Sequence, residues 1–203
     1  MGEGDQFVEG APGADGAGAP RPLCPIVLVG LMGAGKTSVG KRLAARLAVP
    51  FRDSDEAVVE AAGLSIPEIF AELGEAAFRD GERRVIARLL RAGPGVLATG
   101  GGAFLDAGTR AAIGVAGVSV WLRADLETLW ARVGGKPGRP LLDGADPRGR
   151  LAALMEARYP VYGEAEVTVE TKGQGAHEHV ASRIIAALAA RDQAVAPERR
   201  VFA

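Results

Sequence analysis

One stretch, Gly30 to Thr37, constrains the fold of this chain more than any other feature. It fits the phosphate-binding pattern of Gly, four residues, Gly, Lys and Ser or Thr. Its glycines let the backbone turn tightly, so that N–H groups point at phosphate oxygens. Lys36 adds a positive charge, and the Thr37 hydroxyl suits a magnesium ion. The pattern predicts a site for a phosphate chain, with nucleotide contacts from Gly33, Ala34, Gly35, Lys36, Thr37 and Ser38.

The residues on both sides of this loop favour the same interpretation. A short continuous apolar run over 25–29 is typical of a central parallel strand that is covered on both faces. After the loop, Val39, Leu43 and Leu47 recur every four positions, as in a helix whose positive dipole end faces the phosphate. The alternative is a chance glycine-rich turn in a chain with 29 glycines. The flanking strand and helix argue against it.

Strand-like and helix-like stretches alternate along the rest of the chain. This alternation predicts an α/β fold, in which a parallel sheet carries helices on both faces. Helix boundaries are indicated by a capping-box spacing from Ser65 to Glu68, with Gly74 closing that helix, and by apolar spacings over 126–133 and 180–188. The five predicted strands are 25–29, 50–53, 95–99, 118–122 and 167–169.

Composition sets the expected domain limits. Residues 1–22 are rich in Gly, Ala, Pro and Asp and have few large apolar groups, so we expect a disordered tail. Residues 23–190 are predicted to form one domain. The charged, alanine-rich residues 191–203 are expected to fray as a C-terminal tail.

Charge and cysteine content exclude several classes of protein. The 24 basic and 25 acidic residues nearly balance, so we expect neither a nucleic-acid surface nor a membrane surface. Cys24 is the only cysteine and there are two histidines, which excludes a disulfide within the chain and disfavours a zinc site. The sequence has no secretory signal pattern and no membrane-length apolar run. We therefore expect a soluble, cytoplasmic protein. We also expect a monomer, although charge and cysteine content do not bear on the oligomeric state.

A second substrate must bind elsewhere along the ligand edge of the sheet. Asp53 and Asp55 lie where the second strand ends, and such strand ends face the ligand crevice. A carboxylate only accepts hydrogen bonds, so Asp55 suits the hydroxyls of a sugar-like substrate and can take the proton of an attacking hydroxyl. One of these acids can also support magnesium. The alternative is that Asp55 only caps a helix beginning at Glu56.

Three glycines and two arginines complete the candidate acceptor site. Gly100, Gly101 and Gly102 directly follow the third strand, where their backbone N–H groups can approach a ligand. Arg79 lies early in one predicted helix and Arg158 near the end of another, and the planar fork of arginine suits a carboxylate. Taken singly, the glycines also fit a flexible turn, and each arginine also fits a solvated surface position.

A glycine-rich segment between Arg132 and Arg139 is predicted to form a mobile lid over about 133–146. Its closure would exclude water and bring Arg139 to the transferring phosphoryl group, where developing charge needs stabilising. A plain surface loop is the alternative interpretation of this segment.

Together these residues resemble shikimate kinase over about 25–188, which is nearly the whole of the predicted folded part. The matching piece at 33–37 is shared by many nucleotide-binding proteins, whereas the other pieces are not. Their order and spacing make the match specific: Asp53-Ser54-Asp55, Phe78-Arg79, Gly100 to Gly102, Arg139 to Leu142, and Arg158 followed four residues later by Tyr162.

The resemblance implies a three-layer P-loop kinase fold, similar to nucleoside-monophosphate kinases, with strand order 2-3-1-4-5 and a lid. It also implies that the γ-phosphoryl group of ATP moves, with Mg²⁺, to the 3-hydroxyl of shikimate. The products would be ADP and shikimate 3-phosphate, on the route to chorismate and the aromatic amino acids.

The resemblance also implies a role for each candidate residue. Asp55 binds ring hydroxyls and is the candidate base, while Arg79 and Arg158 hold the shikimate carboxylate. Gly101 and its glycine neighbours give backbone contacts to the same substrate. The remaining roles concern the nucleotide: Lys36 and Arg139 flank the moving phosphoryl group, Thr37 ligates magnesium with Asp53 behind it, and Arg132 borders the adenine.

Three competing functions remain open at this point. The nearest is another small-metabolite kinase such as a gluconate kinase, because paired arginines and an acid suit any hydroxylated carboxylic acid. A GTP-driven switch is disfavoured, because the chain has no asparagine and so lacks the guanine-reading Asn-Lys-x-Asp motif. The third is a non-catalytic nucleotide-binding module.

Overall fold

A computed structural model describes residues 20–135, 140–142, 144–172 and 177–203. Its centre is a five-stranded sheet in the order β2-β3-β1-β4-β5, and every neighbouring pair of strands is parallel. The predicted strands and their predicted order are therefore confirmed. The strands are β1 (Pro25–Val29), β2 (Phe51–Asp53), β3 (Gly95–Ala98), β4 (Val118–Arg123) and β5 (Val167–Glu170).

The described part of the chain has eight α-helices, of which seven connect the strands and the last follows β5. They are α1 (Lys36–Leu47), α2 (Ser54–Ala62), α3 (Ile66–Glu72), α4 (Gly74–Arg91), α5 (Ala107–Ala116), α6 (Leu126–Val133), α7 (Pro147–Tyr162) and α8 (His177–Ala194). Short 3₁₀ helices cover Ala103–Leu105, Pro140–Leu142 and Pro197–Arg199. Helices α1 and α8 pack together, and α4 packs on α5. Right-handed crossovers place these two pairs on opposite faces of the sheet, which gives the predicted three layers.

The hydrophobic core lies on both faces of the central strand. All five residues of β1 are buried, and Val27 pairs with Leu97 of β3 on one side and with Ser119 of β4 on the other. The predicted apolar face of α1, which carries Val39, Leu43 and Leu47, is buried against this sheet. A separate small cluster joins α2, α3 and α4 at Val58, Ile69, Phe78 and Val85.

The predicted helix signals mark real helix ends. Ser65 caps α3 in a capping box: its backbone N–H donates to Glu68 Oε2 at 2.7 Å, and its hydroxyl accepts from the Glu68 N–H. Gly74 has a φ of +81°, a left-handed conformation that suits glycine, and it begins α4 directly after Leu73, the C-cap of α3. None of the helices in the described ranges is both long enough and apolar enough to cross a membrane.

The prediction that the chain frays beyond Arg191 is wrong. Helix α8 continues to Ala194, and the side chains of Val201 and Phe202 are buried. The Asp192 carboxylate accepts backbone N–H bonds from Val201 at 2.9 Å and from Phe202 at 2.8 Å. The charged helix end looked solvated in the sequence, but its acid satisfies backbone donors that return to it.

The same segment closes onto the start of the folded chain. Pro22 forms an antiparallel bridge with Phe202, and the Leu23 N–H donates to the Val201 carbonyl at 2.7 Å. Residues 20–22 therefore belong to the folded unit, contrary to the predicted tail limit. The rest of that predicted tail, residues 1–19, lies outside the described residues.

Candidate active site

The phosphate loop joins the end of β1 to the start of α1. Gly30, Gly33 and Gly35 have φ angles of +136°, +80° and +95°, which residues with a β-carbon rarely adopt. Gly35 is the N-cap of α1, and within the described residues no side chain caps this helix end. The first N–H groups of α1 are therefore available to an anion, as the sequence pattern predicts.

The side chain of Lys36 contacts the backbone of this loop. Its Nζ donates to the carbonyl oxygens of Gly30 at 2.7 Å and Leu31 at 3.1 Å. The loop therefore holds the ammonium group close to the anion site. It brings one full positive charge to the place where the helix dipole is also positive.

Thr37 and Asp53 lie side by side at the start of α1 and the end of β2. The Thr37 hydroxyl donates to Asp53 Oδ2 at 2.9 Å, and the other oxygen, Oδ1, accepts the Asp55 N–H at 3.0 Å. Asp53 is thus the cap of α2, which begins at Ser54. The alternative that Asp55 caps a helix beginning at Glu56 is wrong, because Asp55 lies inside the first turn.

This hydroxyl and carboxylate fit a magnesium ion that shares its coordination with other groups. Within the described ranges, no cluster of three or more His, Cys, Asp or Glu residues could hold a metal by itself. Magnesium commonly keeps several waters and is held by few protein oxygens together with substrate phosphates. Thr37 and Asp53 beside the phosphate loop match that requirement.

Asp55 faces the same cavity as the phosphate loop. The cavity has a volume of about 500 Å³, and its lining includes Lys36, Thr37, Asp53, Asp55 and Gly101. Burial raises the pKa of Asp55, and the neighbouring Asp53 adds to this effect, while Lys36 and Arg79 oppose it. A carboxylate with a raised pKa is a stronger base, which suits a group that must take a proton.

The triple glycine is packed tightly by side chains from other elements. A β-carbon at Gly100 would lie 2.6 Å from Asp55 Oδ1, and one at Gly102 would lie 2.5 Å from Arg79 Nη1. The Gly100 N–H donates to the buried Ser54 hydroxyl at 3.0 Å. Side chains from α2 and α4 therefore approach Gly100 and Gly102 closely, and this turn is held by specific contacts.

Arg79 projects from the first half of α4 and is held by two acids. Its Nη1 donates to Glu82 Oε2 at 2.8 Å, and its Nη2 lies 3.3 Å from Glu75 Oε1. Glu82 is only 3% exposed, and burial raises its pKa although the Arg79 charge opposes the shift. Sequence reasoning missed Glu82; the available signal was an acid three residues after Arg79 on the same helix face.

Arg158 approaches the same turn from α7. Its Nη1 donates to the Gly101 carbonyl at 3.4 Å, and the Tyr162 hydroxyl donates to the same oxygen. Burial raises the pKa of Tyr162, and the Arg158 charge opposes this shift. Arg158 therefore reaches the glycine turn at Gly101, and Arg79 reaches it at Gly102.

Three predicted acceptor residues thus converge on three consecutive glycines. Asp55 packs on Gly100, Arg158 contacts Gly101, and Arg79 packs on Gly102. These side chains come from α2, α7 and α4, which are far apart in the sequence. Their convergence forms an acidic and basic rim beside the phosphate loop.

Two arginines were predicted to contact the nucleotide, and one of them, Arg132, is in the described part of the chain. Arg132 Nη1 donates to the carbonyls of Gly33 at 3.1 Å and Ala34 at 3.4 Å. The second, Arg139, lies outside the described residues, as do residues 136–139 and 143 of the predicted lid. His177 also lines the cavity, and no sequence pattern pointed to it.

Comparisons with known proteins show which family the chain is similar to. A sequence model of the family described as shikimate kinase matches residues 32–189. The shikimate kinase of Caulobacter vibrioides is 61% identical over 170 residues, which are 84% of this chain and 84% of that protein. The shikimate kinase of Ruegeria pomeroyi is 58% identical over 166 residues, which are 82% of this chain and 85% of that protein.

A solved structure gives the same result in three dimensions. Shikimate kinase from Acinetobacter baumannii in complex with shikimate has a TM-score of 0.79 to this chain at 39% sequence identity. The match covers 83% of this chain and 94% of that one. The phosphate loop, the rim of Asp55, Arg79 and Arg158, and these matches over most of the chain lead to one conclusion: the chain belongs to the shikimate kinase family.

Proposed function

We propose that this protein transfers the γ-phosphoryl group of ATP to the 3-hydroxyl of shikimate, releasing ADP and shikimate 3-phosphate. The observation that carries the proposal is the convergence of Asp55, Arg158 and Arg79 on Gly100, Gly101 and Gly102 beside the phosphate loop. A carboxylic acid with several hydroxyls suits such a rim, with arginines for its carboxylate and an acid for its hydroxyls. The similarity to shikimate kinases supports the choice of substrate. The product would serve chorismate and aromatic amino acid synthesis.

The nucleotide half of the site would bind the phosphates through backbone groups and one lysine. The N–H groups at the start of α1, which no side chain caps within the described residues, and the positive φ angles of Gly33 and Gly35 form a cradle for oxygens. Lys36 would exchange its contacts with the Gly30 and Leu31 carbonyls for contacts with phosphate oxygens. Its charge would then oppose the negative charge that develops as the phosphoryl group moves.

The acceptor half would orient the hydroxyl and receive its proton. Arg79 and Arg158 would hold the carboxylate, and the Asp55 carboxylate would accept the proton of the 3-hydroxyl. The hydroxyl oxygen then forms a bond to the γ-phosphorus while the bond between that phosphorus and the bridging oxygen breaks. ADP leaves with the electron pair of that bond.

We propose that Thr37 and Asp53 hold Mg²⁺, Thr37 directly and Asp53 from behind through the Thr37 hydroxyl. Bound there, Mg²⁺ would offset negative charge on the ATP phosphates. Arg139 remains a proposed partner of the phosphoryl group, carried by a lid that excludes water, and it lies outside the described residues. Arg132 is proposed to border the nucleoside. We further propose that the protein works as a cytoplasmic monomer.

The experiment that tests the function is a coupled assay of ADP release with ATP and a panel of acids. We expect turnover with shikimate that exceeds turnover with gluconate by orders of magnitude, and none with ATP alone. Turnover only with gluconate or another polyol acid would identify a different kinase, and ATP binding without turnover would identify a non-catalytic module.

Two variants make this assay specific to the phosphate loop. Lys36→Ala should lower turnover by at least about a hundredfold with an unchanged circular dichroism spectrum, because it removes charge stabilisation of the transition state. Lys41→Ala is the matched control, since Lys41 lies exposed on the same helix. Equal losses in both variants would contradict the proposed role of the loop.

A further inference from the structure

The middle carbonyl of the triple-glycine turn is held from outside the turn. The Gly100 carbonyl accepts the Ala103 N–H at 3.2 Å. The Gly102 carbonyl accepts the Leu105 N–H at 3.0 Å, so both outer carbonyls are held by nearby backbone. The Gly101 carbonyl instead accepts from two side chains of α7, which come 57 and 61 residues later in the chain.

Three consecutive glycines make such an anchor necessary. They have no β-carbons to restrict φ and ψ, so the chain alone does not set the direction of the middle peptide. The described chain has no cis peptide bond, and the N–H and C=O groups of a trans peptide point in opposite directions. A donor that holds the Gly101 carbonyl therefore also directs the Gly102 N–H away from α7. Within the described ranges this N–H donates to no acceptor, so it is available to a ligand.

Of the two donors to this carbonyl, Tyr162 has the more fixed position. Its ring is 1% exposed, and its centroid lies 6.1 Å from that of Trp121 and 6.3 Å from that of Tyr159. Packing in the core therefore sets the direction of its hydroxyl. Arg158 Nη1 is 3.4 Å from the carbonyl oxygen, which is long for a hydrogen bond. In the proposed function Arg158 turns to the acceptor carboxylate, and Tyr162 is then the donor that stays on the Gly101 carbonyl.

Gly101 lies where the two halves of the site meet. A β-carbon at this position would lie 3.8 Å from Arg158 Nη1, from the Gly30 carbonyl oxygen and from the Met32 nitrogen. Gly101 also lines the cavity. A rotation of its peptide would therefore displace backbone groups that lie between Arg158 and the phosphate loop.

We propose that Tyr162 is a positioning residue for the acceptor, because its hydroxyl holds the Gly101 carbonyl and thereby directs the Gly102 N–H to the bound acid. The inference rests on the proposed function in taking a hydroxylated acid as the acceptor. It adds a buried residue that acts through the glycine turn. No step of the proposed phosphoryl transfer uses Tyr162.

Removing only the hydroxyl tests this role. Tyr162→Phe keeps the buried ring and leaves the Gly101 carbonyl with the longer Arg158 contact. We expect the dissociation constant and the KM for shikimate to rise about three- to tenfold, the usual effect of losing one hydrogen bond. The dissociation constant for ADP and the KM for ATP should be unchanged, because the contacts of the phosphate loop remain. Calorimetric titrations and initial rates measure these constants.

Tyr159→Phe is the matched control. Tyr159 lies on the same helix, its ring centroid is 4.9 Å from that of Trp121, and its hydroxyl also donates to a backbone carbonyl, that of Ala124. This variant loses the same kind of bond outside the glycine turn, so its constants for shikimate should match those of the wild type. Circular dichroism verifies that both variants fold. Equal weakening of shikimate binding in both variants would overturn the proposal, because it would show a general effect on α7.

A nuclear magnetic resonance measurement on the wild type does not depend on either variant. In full-length protein with isotope-labelled glycine, shikimate should shift the Gly102 amide signal, because that N–H gains an acceptor. ADP should shift it less. At saturating shikimate the shift should be smaller in Tyr162→Phe than in the wild type. An unmoved Gly102 signal in wild-type protein saturated with shikimate would overturn the proposal.

The possible failures of this inference and of the proposed function are distinguishable. If the wild type neither binds nor phosphorylates shikimate, the proposed function falls with the inference. If the wild type uses shikimate and Tyr162→Phe binds it equally tightly, only the role of Tyr162 is overturned. Equal weakening of shikimate and ADP binding in Tyr162→Phe would also overturn that role, because the hydroxyl would then support the fold as a whole.

Discussion

Glu82 holds Arg79 at the candidate acceptor site through a hydrogen bond of 2.8 Å, which Arg79 Nη1 donates to Glu82 Oε2. The acid is buried, whereas the guanidinium remains partly exposed towards the glycine turn. An ionised pair of this kind fixes the direction of the arginine fork before a ligand arrives, which lowers the ordering cost of binding.

Replacing Glu82 with Gln should therefore weaken binding of the acid substrate. The amide keeps the shape but loses the charged hydrogen bond, so we expect the KM for shikimate to rise about tenfold, as for the loss of about 1.4 kcal/mol. The KM for ATP should be unchanged. Glu75→Gln is the matched control, because Glu75 contacts the same arginine with a side chain that is 68% exposed, and it should stay within about twofold. Equal effects of the two variants would argue against a positioning role for Glu82.

Asp55→Asn should remove most of the activity without changing the structure. The amide cannot take the proton of the acceptor hydroxyl, and general base catalysis contributes about a hundredfold to ten-thousandfold in rate. In the wild type, kcat/KM should fall as the pH drops through the raised pKa of Asp55, because the protonated carboxyl is no longer a base. Initial rates from pH 4 to 8 measure both effects. A variant that keeps wild-type rates would exclude Asp55 as the base.

The same substitution should raise stability at neutral pH. The pKa of Asp55 is higher in the folded state than in the unfolded state, so the folded state binds the proton more strongly. The free energy of unfolding therefore falls as pH rises through this range, and ionised Asp55 costs stability above it. Asn stays neutral, so thermal denaturation of Asp55→Asn should occur at higher temperature than that of the wild type at pH 7. The difference should shrink towards pH 4.

Arg158→Ala should separate the two substrates. Arg158 contacts the Gly101 carbonyl, and its proposed ligand is the carboxylate of the acceptor. We expect the dissociation constant for shikimate to rise at least about tenfold, because a charged hydrogen bond to the carboxylate is lost, while that for ADP stays the same. Calorimetric titration with each ligand measures both constants. Equal losses for the two ligands would contradict a carboxylate role.

Asp192→Ala should destabilise the fold while leaving catalysis intact. Its carboxylate accepts the N–H groups of Val201 and Phe202, which would be buried without a partner in the variant. Leaving buried donors unsatisfied costs about 1 to 3 kcal/mol for each group. Urea denaturation should show a lower free energy of unfolding, with kcat and KM unchanged in native buffer. Glu198→Ala, a change at an exposed neighbouring acid, is the control.

The sequence specified the sheet well because a buried parallel strand is a short continuous apolar run. Ile26, Val27, Leu28 and Val29 are fully buried, and the phosphate loop directly after them set the position of the site. The limits of the helix over 126–133 could also be predicted from the sequence, because α6 combines helical apolar spacing with glycines beyond its end.

Contacts between distant segments were not readable from local patterns. The position of Glu82 depends on α4 lying against the Gly100 turn, and the place of His177 in the cavity lining depends on α8 lying against the phosphate loop. The burial of Asp192 depends on residues nine and ten positions later folding back onto it. The spacing of residues within one helix does not reveal contacts with distant segments. Each of these acids and the imidazole therefore looked like an ordinary surface group.

The bridge between Pro22 and Phe202 brings the two ends of the folded unit together. This junction precedes β1, whereas the phosphate loop follows it, so the junction lies at the opposite end of the sheet from the cavity. A protein immobilised on a chip or bead through Ala203 would therefore keep its phosphate-loop cavity facing the solution. In a chain shortened to begin at Pro20, a short synthetic linker from Ala203 to Pro20 would allow circular permutation, with the new ends placed in an exposed loop away from the phosphate loop.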